Sequence, residues 1–180
     1  MGTAEHLTDL QNAILRAFPD VVFDGQITPH DGEWPDEVTE ETAIYEGQVI
    51  YGDEMFLYEG LKGHKWSDIP REFLYGMTDD YLLLTSEALV AFIAAWLMCS
   101  LDNLAGENHV RDLFIYTFSP NRDEQSRDFT ISLLRAFNRE QLAVLRLLLA
   151  EFSKSESLKY VREDALNAVK FIDGLSFLTP

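Results

Sequence analysis

The sequence predicts a mainly α-helical, single-domain bundle around one fully apolar central helix, and three observations lead to this. Residues 82–101 contain a helix start signal followed by an apolar run without a charge. Most other segments repeat apolar residues at three- and four-residue spacing, which is typical of helices with one buried face. A chain of 180 residues can also bury about 70% of the surface that its unfolded form exposes.

The central helix carries the clearest start signal. Thr85 or Ser86 is the expected N-cap, and Glu87 lies in the first turn, where a carboxylate complements the helix dipole. All 12 residues from Ala88 to Cys99 are apolar, which is too few to cross a bilayer, since a crossing takes about 20. We therefore expect a buried core helix with Trp96 inside the core and with the single cysteine acting as a small buried hydrophobe.

The first half of the chain is predicted to contain helices separated by an acidic, turn-rich segment. A helix from about Thr3 to Phe18 places apolar side chains on one face. A short strand or extended piece is expected near residues 21–27, which begin with two valines and a phenylalanine. Thr39 is a candidate cap for a helix from about Glu40 to Tyr51. Residues 55–61 are compatible with either a helix or an extended piece.

The second half has the pattern of successive amphipathic helices with recognisable ends. Pro70 is well placed in the first turn of a helix. Asn138 with Gln141 three positions later is typical of a capping box. Residues 121–127 are mostly polar, so we expect an exposed loop there. The predicted helices run from about Pro70 to Tyr75, Val110 to Thr117, Phe129 to Phe137, Asn138 to Ser153 and Ser157 to Ile172.

The formal net charge of −17 is the strongest deviation in the composition. Residues 1–80 carry 18 Asp and Glu against 4 Lys and Arg, whereas residues 81–180 carry 13 against 10. The single domain, residues 1–180, thus has an acidic part at 1–63 and a helical core at 64–174. Nucleic acids and anionic membranes bind through clustered Lys and Arg, so this charge argues against both as partners.

One stretch holds most of this acidity. Between Arg16 and Lys62 there are twelve carboxylates and no basic side chain, and aromatic residues are interleaved with the carboxylates from Trp34 to Tyr58. Carboxylates steer a basic partner, while aromatic side chains supply desolvated contact area. The alternative interpretation is a solvated acidic face whose aromatic rings point into the core. The concentration of charge in one third of the chain favours binding.

The chain lacks the motifs of common catalytic sites. It has no G-x-S-x-G, no G-x-x-x-x-G-K and no G-x-G-x-x-G, so nucleophilic catalysis and nucleotide binding lack their usual signals. Its four histidines form neither H-E-x-x-H nor E-x-x-H, and His30, Asp31 and Glu33 match no specific metal motif. We therefore expect no cofactor, no metal and no catalytic residue. Carboxylate pairs that meet only in the fold keep a hydrolase as an alternative.

Three short motifs resemble a bacterial domain family of unknown function. They are the Trp66-Ser67-Asp68-Ile69-Pro70 turn, the Leu84-Thr85-Ser86-Glu87-Ala88 helix start and the Phe137-Asn138-Arg139-Glu140-Gln141-Leu142 segment. The resemblance spans about residues 60–152. It implies a bacterial cytosolic protein and supplies no catalytic residues. Residues 1–15 also lack the basic and apolar regions of a signal peptide, which agrees with a cytoplasmic location.

These observations lead to the hypothesis of a non-enzymatic binding protein with an acidic, aromatic-studded face for a basic protein partner. Small acidic bacterial proteins of this size resemble, as a class, immunity proteins that neutralise toxins, which need only a rigid scaffold and a charged face. The alternatives are a metal-dependent or carboxylate-based hydrolase and a scaffold or oligomer subunit of unknown oligomeric state. The expected partner-binding residues are Asp31, Glu33, Trp34, Asp36, Glu37, Glu40, Glu41, Tyr45, Asp53 and Glu54.

Overall fold

A computed structural model describes residues 3–23, 43–45, 48–50, 52–78, 80–104, 106–119, 124–154 and 159–175, and this part of the chain is mainly helical, as predicted. Two short 3-10 helices lie at Trp66–Asp68 and Asp80–Leu83. Strands β1 (Ala43–Tyr45) and β2 (Gln48–Ile50) form an antiparallel pair. The α-helices are α1 (Thr3–Ala17), α2 (Gly52–Leu61), α3 (Arg71–Gly76), α4 (Ser86–Ser100), α5 (His109–Phe118), α6 (Glu124–Ala136), α7 (Arg139–Phe152) and α8 (Lys159–Asp173).

Helix α4 is the predicted central helix. The Thr85 hydroxyl caps it by accepting a hydrogen bond from the amide of Ala88. Helices α1, α3, α5 and α6 and both 3-10 helices pack against it, because a helix that is apolar on nearly every side is stable only when neighbours cover it. Trp96 is completely buried, and its indole Nε1 donates to the carbonyl of Met77 at 2.8 Å. The core expected around this helix is confirmed.

The segment after α1 is fastened to the turn before α3. Val22 forms a β-bridge with Lys65, and the amide of Phe23 donates to the carbonyl of His64 at 2.8 Å. The indole of Trp66 donates to the carbonyl of Pro19 at 3.1 Å. The extended piece expected near residues 21–27 is thus present as far as Phe23, and the rest of it lies outside the described residues.

The predicted helix from Glu40 to Tyr51 is wrong, because its described residues form β1 and β2. Residue Ala43 lies opposite Ile50, and Tyr45 lies opposite Gln48. Isoleucine, valine and tyrosine favour strands, and two residues that include a glycine separate the strands in sequence, which is typical of a hairpin. Thr39 suggested a helix cap, but the β-branched residues of the segment favour strands.

The predicted loop at residues 121–127 is corrected as well, since α6 begins at Glu124 and continues through the expected start at Phe129. Residues 121–123 of the predicted loop lie outside the described residues. Arg127 and Asp128 are exposed, and the guanidinium of Arg127 lies 5.6 Å from the ring centroid of Phe171 on α8. Polarity alone therefore did not distinguish a loop from the start of a helix.

The ends of the later helices agree with the sequence. Asn138 and Gln141 form the predicted capping box, with reciprocal hydrogen bonds of 2.9 and 3.0 Å between side chain and backbone. Helix α8 ends at Asp173, directly before Gly174 and one residue after the predicted end at Ile172. Asp173 accepts hydrogen bonds from Arg146, which joins the last turn of α8 to α7. The predicted start of this helix at Ser157 lies outside the described residues.

A buried arginine that sequence reasoning did not single out holds the connection between α4 and α5. Arg111 is 1% exposed, and its guanidinium donates to the carbonyls of Leu104 and Gly106 and to the carboxylate of Asp112. Asn108 caps α5 by accepting from the amide of Arg111, and its Nδ2 donates to the carbonyl of Cys99 at 2.8 Å. These hydrogen bonds of the guanidinium all end within the α4–α5 connection or on α5 itself. We therefore assign Arg111 a structural role in holding this connection.

Substitution of Trp96 tests the central position of α4. We expect Trp96→Ala to lower the free energy of unfolding by about 3–5 kcal/mol, because the whole ring leaves a filled core. Trp96→Phe keeps an aromatic ring but removes the N–H that Met77 accepts, and we expect a loss of about 1–3 kcal/mol. Urea unfolding followed by circular dichroism measures both losses.

The matched control is Phe129→Ala, which removes an aromatic ring that is 49% exposed on α6. We expect this change to stay within about 0.5 kcal/mol of the wild type, since it lies at the surface. An equal loss for Trp96→Ala and Phe129→Ala would contradict a core centred on α4.

Candidate functional site

Most of the predicted partner-binding residues lie outside the described part of the chain. Tyr45 lies in β1, and Asp53 and Glu54 are the second and third residues of α2. Outside the described residues lie Asp31, Glu33, Trp34, Asp36, Glu37, Glu40 and Glu41. The structure therefore describes only the C-terminal residues of the predicted binding face, Tyr45, Asp53 and Glu54.

At this edge, α2 and α3 present an aromatic and acidic surface. Phe56 on α2 is 62% exposed, more than any other large hydrophobic side chain in the described residues. Its ring stacks on that of Phe73 on α3, with 5.6 Å between ring centroids and 28° between ring planes. Glu59 and Glu72 are exposed on the same two helices. We call Phe56, Glu59, Glu72 and Phe73 the α2–α3 face.

A glycine allows the two helices to approach. A Cβ atom at Gly60 would lie 2.1 Å from Cε2 of Phe73, so the phenylalanine ring occupies the space that any other side chain would need. Gly60 follows Phe56 by one helical turn, which puts both residues on the same side of α2. Gly60 therefore leaves room for the ring of Phe73 beside the exposed ring of Phe56.

The aromatic residues of α2 separate into a surface residue and a core residue. Tyr58 is buried, with its ring edge-to-face on Phe23 at a centroid distance of 6.0 Å, and the amine of Lys62 lies 5.2 Å from the Tyr58 ring centroid. Tyr58 therefore follows the core interpretation of the acidic stretch. Phe56 does not, because its ring is mostly exposed to solvent.

The basic residues that follow the acidic stretch are each engaged elsewhere. Lys62 lies over Tyr58, and Lys65 lies 3.7 Å from the carboxylate of Asp20. Arg71 pairs with Asp102 and also donates to the carbonyl of Met98. None of these contacts involves the carboxylates of the α2–α3 face, although Lys62 follows Glu59 by three positions.

Cys99 lies beside Arg71 but is not activated by it. Its Sγ is 3.7 Å from the guanidinium, and the thiol is buried. Burial raises the pKa of Cys99 to about 11, although the charge of Arg71 acts in the opposite direction. Burial and the hydrogen bond to Asp102 likewise raise the pKa of Tyr75 to about 12. The Cys99 thiol and the Tyr75 hydroxyl are both protonated at neutral pH, so neither is a ready nucleophile.

The described residues contain no group of three or more His, Cys, Asp or Glu side chains that could hold a metal ion. His6 lies 2.8 Å from Glu151, which links α1 to α7. His64 and His109 are exposed. His30 and Asp31, the residues of the weak metal signal in the sequence, lie outside the described part.

Sequence reasoning missed Phe73 and Glu72 as parts of the candidate site. Both belong to the short helix predicted from Pro70 to Tyr75, which carried no charge run and no aromatic cluster of its own. Phe73 lies near Phe56 because the two rings stack and Gly60 leaves room for the Phe73 ring. Glu72 is the exposed residue that precedes Phe73. The sequence carries no signal for a contact of this kind between two helices.

Comparisons with protein-family models, with curated proteins and with solved structures give no match to this chain. Within the described residues, no helix has the length and apolar character needed to cross a membrane. The case for function therefore depends on the surface of the chain and its charge.

Thiol labelling tests the protonated state of Cys99. We expect the folded protein at pH 8 to react with a disulfide reagent more than about 100-fold more slowly than a free thiol, because burial and a raised pKa both suppress the thiolate. Denaturant should restore the normal rate. Ser132→Cys in a Cys99→Ala background provides an exposed thiol on α6 as the control. A rate for Cys99 equal to that of this control would contradict the burial of the thiol.

Proposed function

We propose that this chain is a non-enzymatic binding protein that holds a basic protein partner against residues 31–59 and the α2–α3 face. The partner class that we favour is a bacterial toxin, which the chain neutralises as an immunity protein in the cytoplasm. One observation carries the proposal. Phe56 keeps 62% of its surface in water while stacked on Phe73, and it follows a stretch of carboxylates that contains no basic residue.

The exposed aromatic ring supports a binding role over a merely solvated acidic surface. Phe56 differs in this from Tyr58 of the same helix, whose ring lies in the core. Interfaces concentrate their binding energy in a few aromatic anchors surrounded by polar groups. Phe56 between Glu59 and the more N-terminal carboxylates of the acidic stretch has this composition.

The charge distribution supports a basic partner. Twelve carboxylates without a single Lys or Arg lie between Arg16 and Lys62, and the Lys and Arg residues nearest to α2 contact other groups. Such a field raises the association rate of a positively charged protein and is screened by salt. Nucleic acids and anionic lipids are repelled by the same field.

The scaffold supports neutralisation by occlusion. An inhibitor that blocks a toxin needs a surface held rigidly by its fold, because flexible side chains lose entropy on binding. The capped helices α4 and α7 and the tight contact at Gly60 supply that rigidity. Toxins that act on nucleic acids are commonly basic because their substrate is a polyanion, so an acidic surface is complementary to them.

Charge reversal in the acidic stretch tests the proposal. We expect Glu37→Lys, Glu40→Lys and Glu41→Lys, combined in one variant, to slow association with a basic protein captured from the source cell and to flatten its salt dependence. The physical reason is the loss of electrostatic steering. Association rates over a range of salt concentrations, together with inhibition of the activity of the captured protein, provide the measurement.

The control variant combines Asp9→Lys, Glu107→Lys and Asp128→Lys. These three residues are exposed on α1, before α5 and on α6, and the control makes the same change in net charge. It should retain most of the association rate. Equal capture by the first variant and by the wild type would reject the acidic face as the binding surface.

A further inference from the structure

We propose that the exposed ring of Phe56 is an anchor for an arginine side chain of the partner, stacked on the ring and paired with Glu59. This inference rests on the proposed function and gives it a chemical detail, namely a guanidinium group as the part of the partner that covers the α2–α3 face. Three properties of this face support it.

The first property is that Phe56 presents a ring of fixed orientation. One side of the ring stacks on Phe73 at 28°, and Phe73 is itself seated on Gly60, where no side chain fits between them. The 62% exposure of Phe56 therefore includes the side of the ring that does not contact Phe73. A planar group can approach that side without moving either helix.

The second property is the sign of the local charge. The face of an aromatic ring carries negative potential and attracts a cation. Glu59 lies three positions after Phe56, so the two side chains are neighbours on the surface of α2. Glu72 is exposed on α3, next to Phe73 in sequence. The ring of Phe56 and the carboxylate of Glu59 thus both favour a positive charge on an incoming group.

The third property is that the described basic side chains nearby are engaged. Lys62 lies over Tyr58, which points into the core, and Arg71 contacts Asp102 and the carbonyl of Met98. Among the described residues, no cation lies over the ring of Phe56 in these contacts. In the anchor, the cation comes from another molecule.

Arginine fits this arrangement better than lysine. A guanidinium is planar, so it stacks on a ring while its N–H groups pair with a carboxylate at its edge. A lysine ammonium is a compact, strongly hydrated charge that makes only one of these contacts well. An apolar partner residue would cover the ring but would leave Glu59 and Glu72 without a counter-charge at the interface.

Two peptides of equal charge, hexa-arginine and hexa-lysine, test the anchor. Each is titrated into the full chain at constant salt, with fluorescence anisotropy of the labelled peptide as the readout. We expect Phe56→Leu to lower the ratio of the arginine to the lysine association constants by about two- to fivefold, which is the size of an exposed cation–π contact. The variant keeps an apolar side chain on α2, and circular dichroism checks its fold.

Two further variants sharpen the result. Phe56→Trp retains a π face and should keep or raise the wild-type ratio, because tryptophan is the best cation–π partner. Phe129→Leu removes another exposed ring, 49% exposed on α6, and should leave the ratio unchanged. An unchanged ratio in Phe56→Leu, a drop of the same size in Phe129→Leu, or no binding of either peptide would overturn the anchor.

Failure of the anchor and failure of the proposed function are distinguishable. If the anchor is wrong, the ratio of the arginine to the lysine association constants is unchanged in Phe56→Leu, while the triple charge reversal still reduces capture of the partner. If the proposed function is wrong, the triple reversal leaves capture unchanged, whatever the peptides report about Phe56.

Discussion

Burial of α4 is the constraint on which the rest of the structure depends. Its apolar residues leave only Val90, Ala91 and Met98 partly exposed between Ala88 and Cys99, so neighbours have to cover almost every side. Helices α1, α3, α5 and α6 do this, and α7 and α8 complete the core behind them, which runs from Leu10 to Leu175. Polar atoms that enter this core are satisfied locally, as with the indole of Trp96 on the carbonyl of Met77. The arrangement of the scaffold therefore follows from the need to cover the apolar helix α4.

The candidate site lies apart from this core but depends on it. Phe73 reaches Phe56 only because α3 packs on α4 and because Gly60 leaves room for the ring. Tyr58 anchors the opposite side of α2 to Phe23, and Phe23 in turn contacts Phe92 of the central helix, with 4.9 Å between ring centroids. One helix thus connects the core and the acidic surface. Its inward aromatic ring, Tyr58, packs in the core, and its outward ring, Phe56, is exposed to solvent.

Periodicity and capping signals predicted the helices that are long and amphipathic or fully apolar, because such patterns have one low-energy arrangement. Thr85, Asn138 and Gln141 are the examples, since each cap involves residues within one turn. The hairpin at β1 and β2 was missed because Thr39 resembled a helix cap while the β-branched residues were undervalued. None of the four residues of the α2–α3 face was among the predicted partner-binding residues. Phe56 and Glu59 lie in the acidic stretch, but Phe73 contacts Phe56 through packing between helices that no local signal encodes.

The central claim is that a basic partner covers the acidic stretch and the α2–α3 face and leaves the opposite helices free. Hydrogen–deuterium exchange of the full chain, alone and saturated with its captured partner, tests this most directly. The account predicts slower exchange in peptides that cover residues 31–62 and 71–76, with unchanged exchange in peptides that cover α6 and α8. Protection confined to α5–α8, with residues 31–62 exchanging as in the free chain, would contradict it.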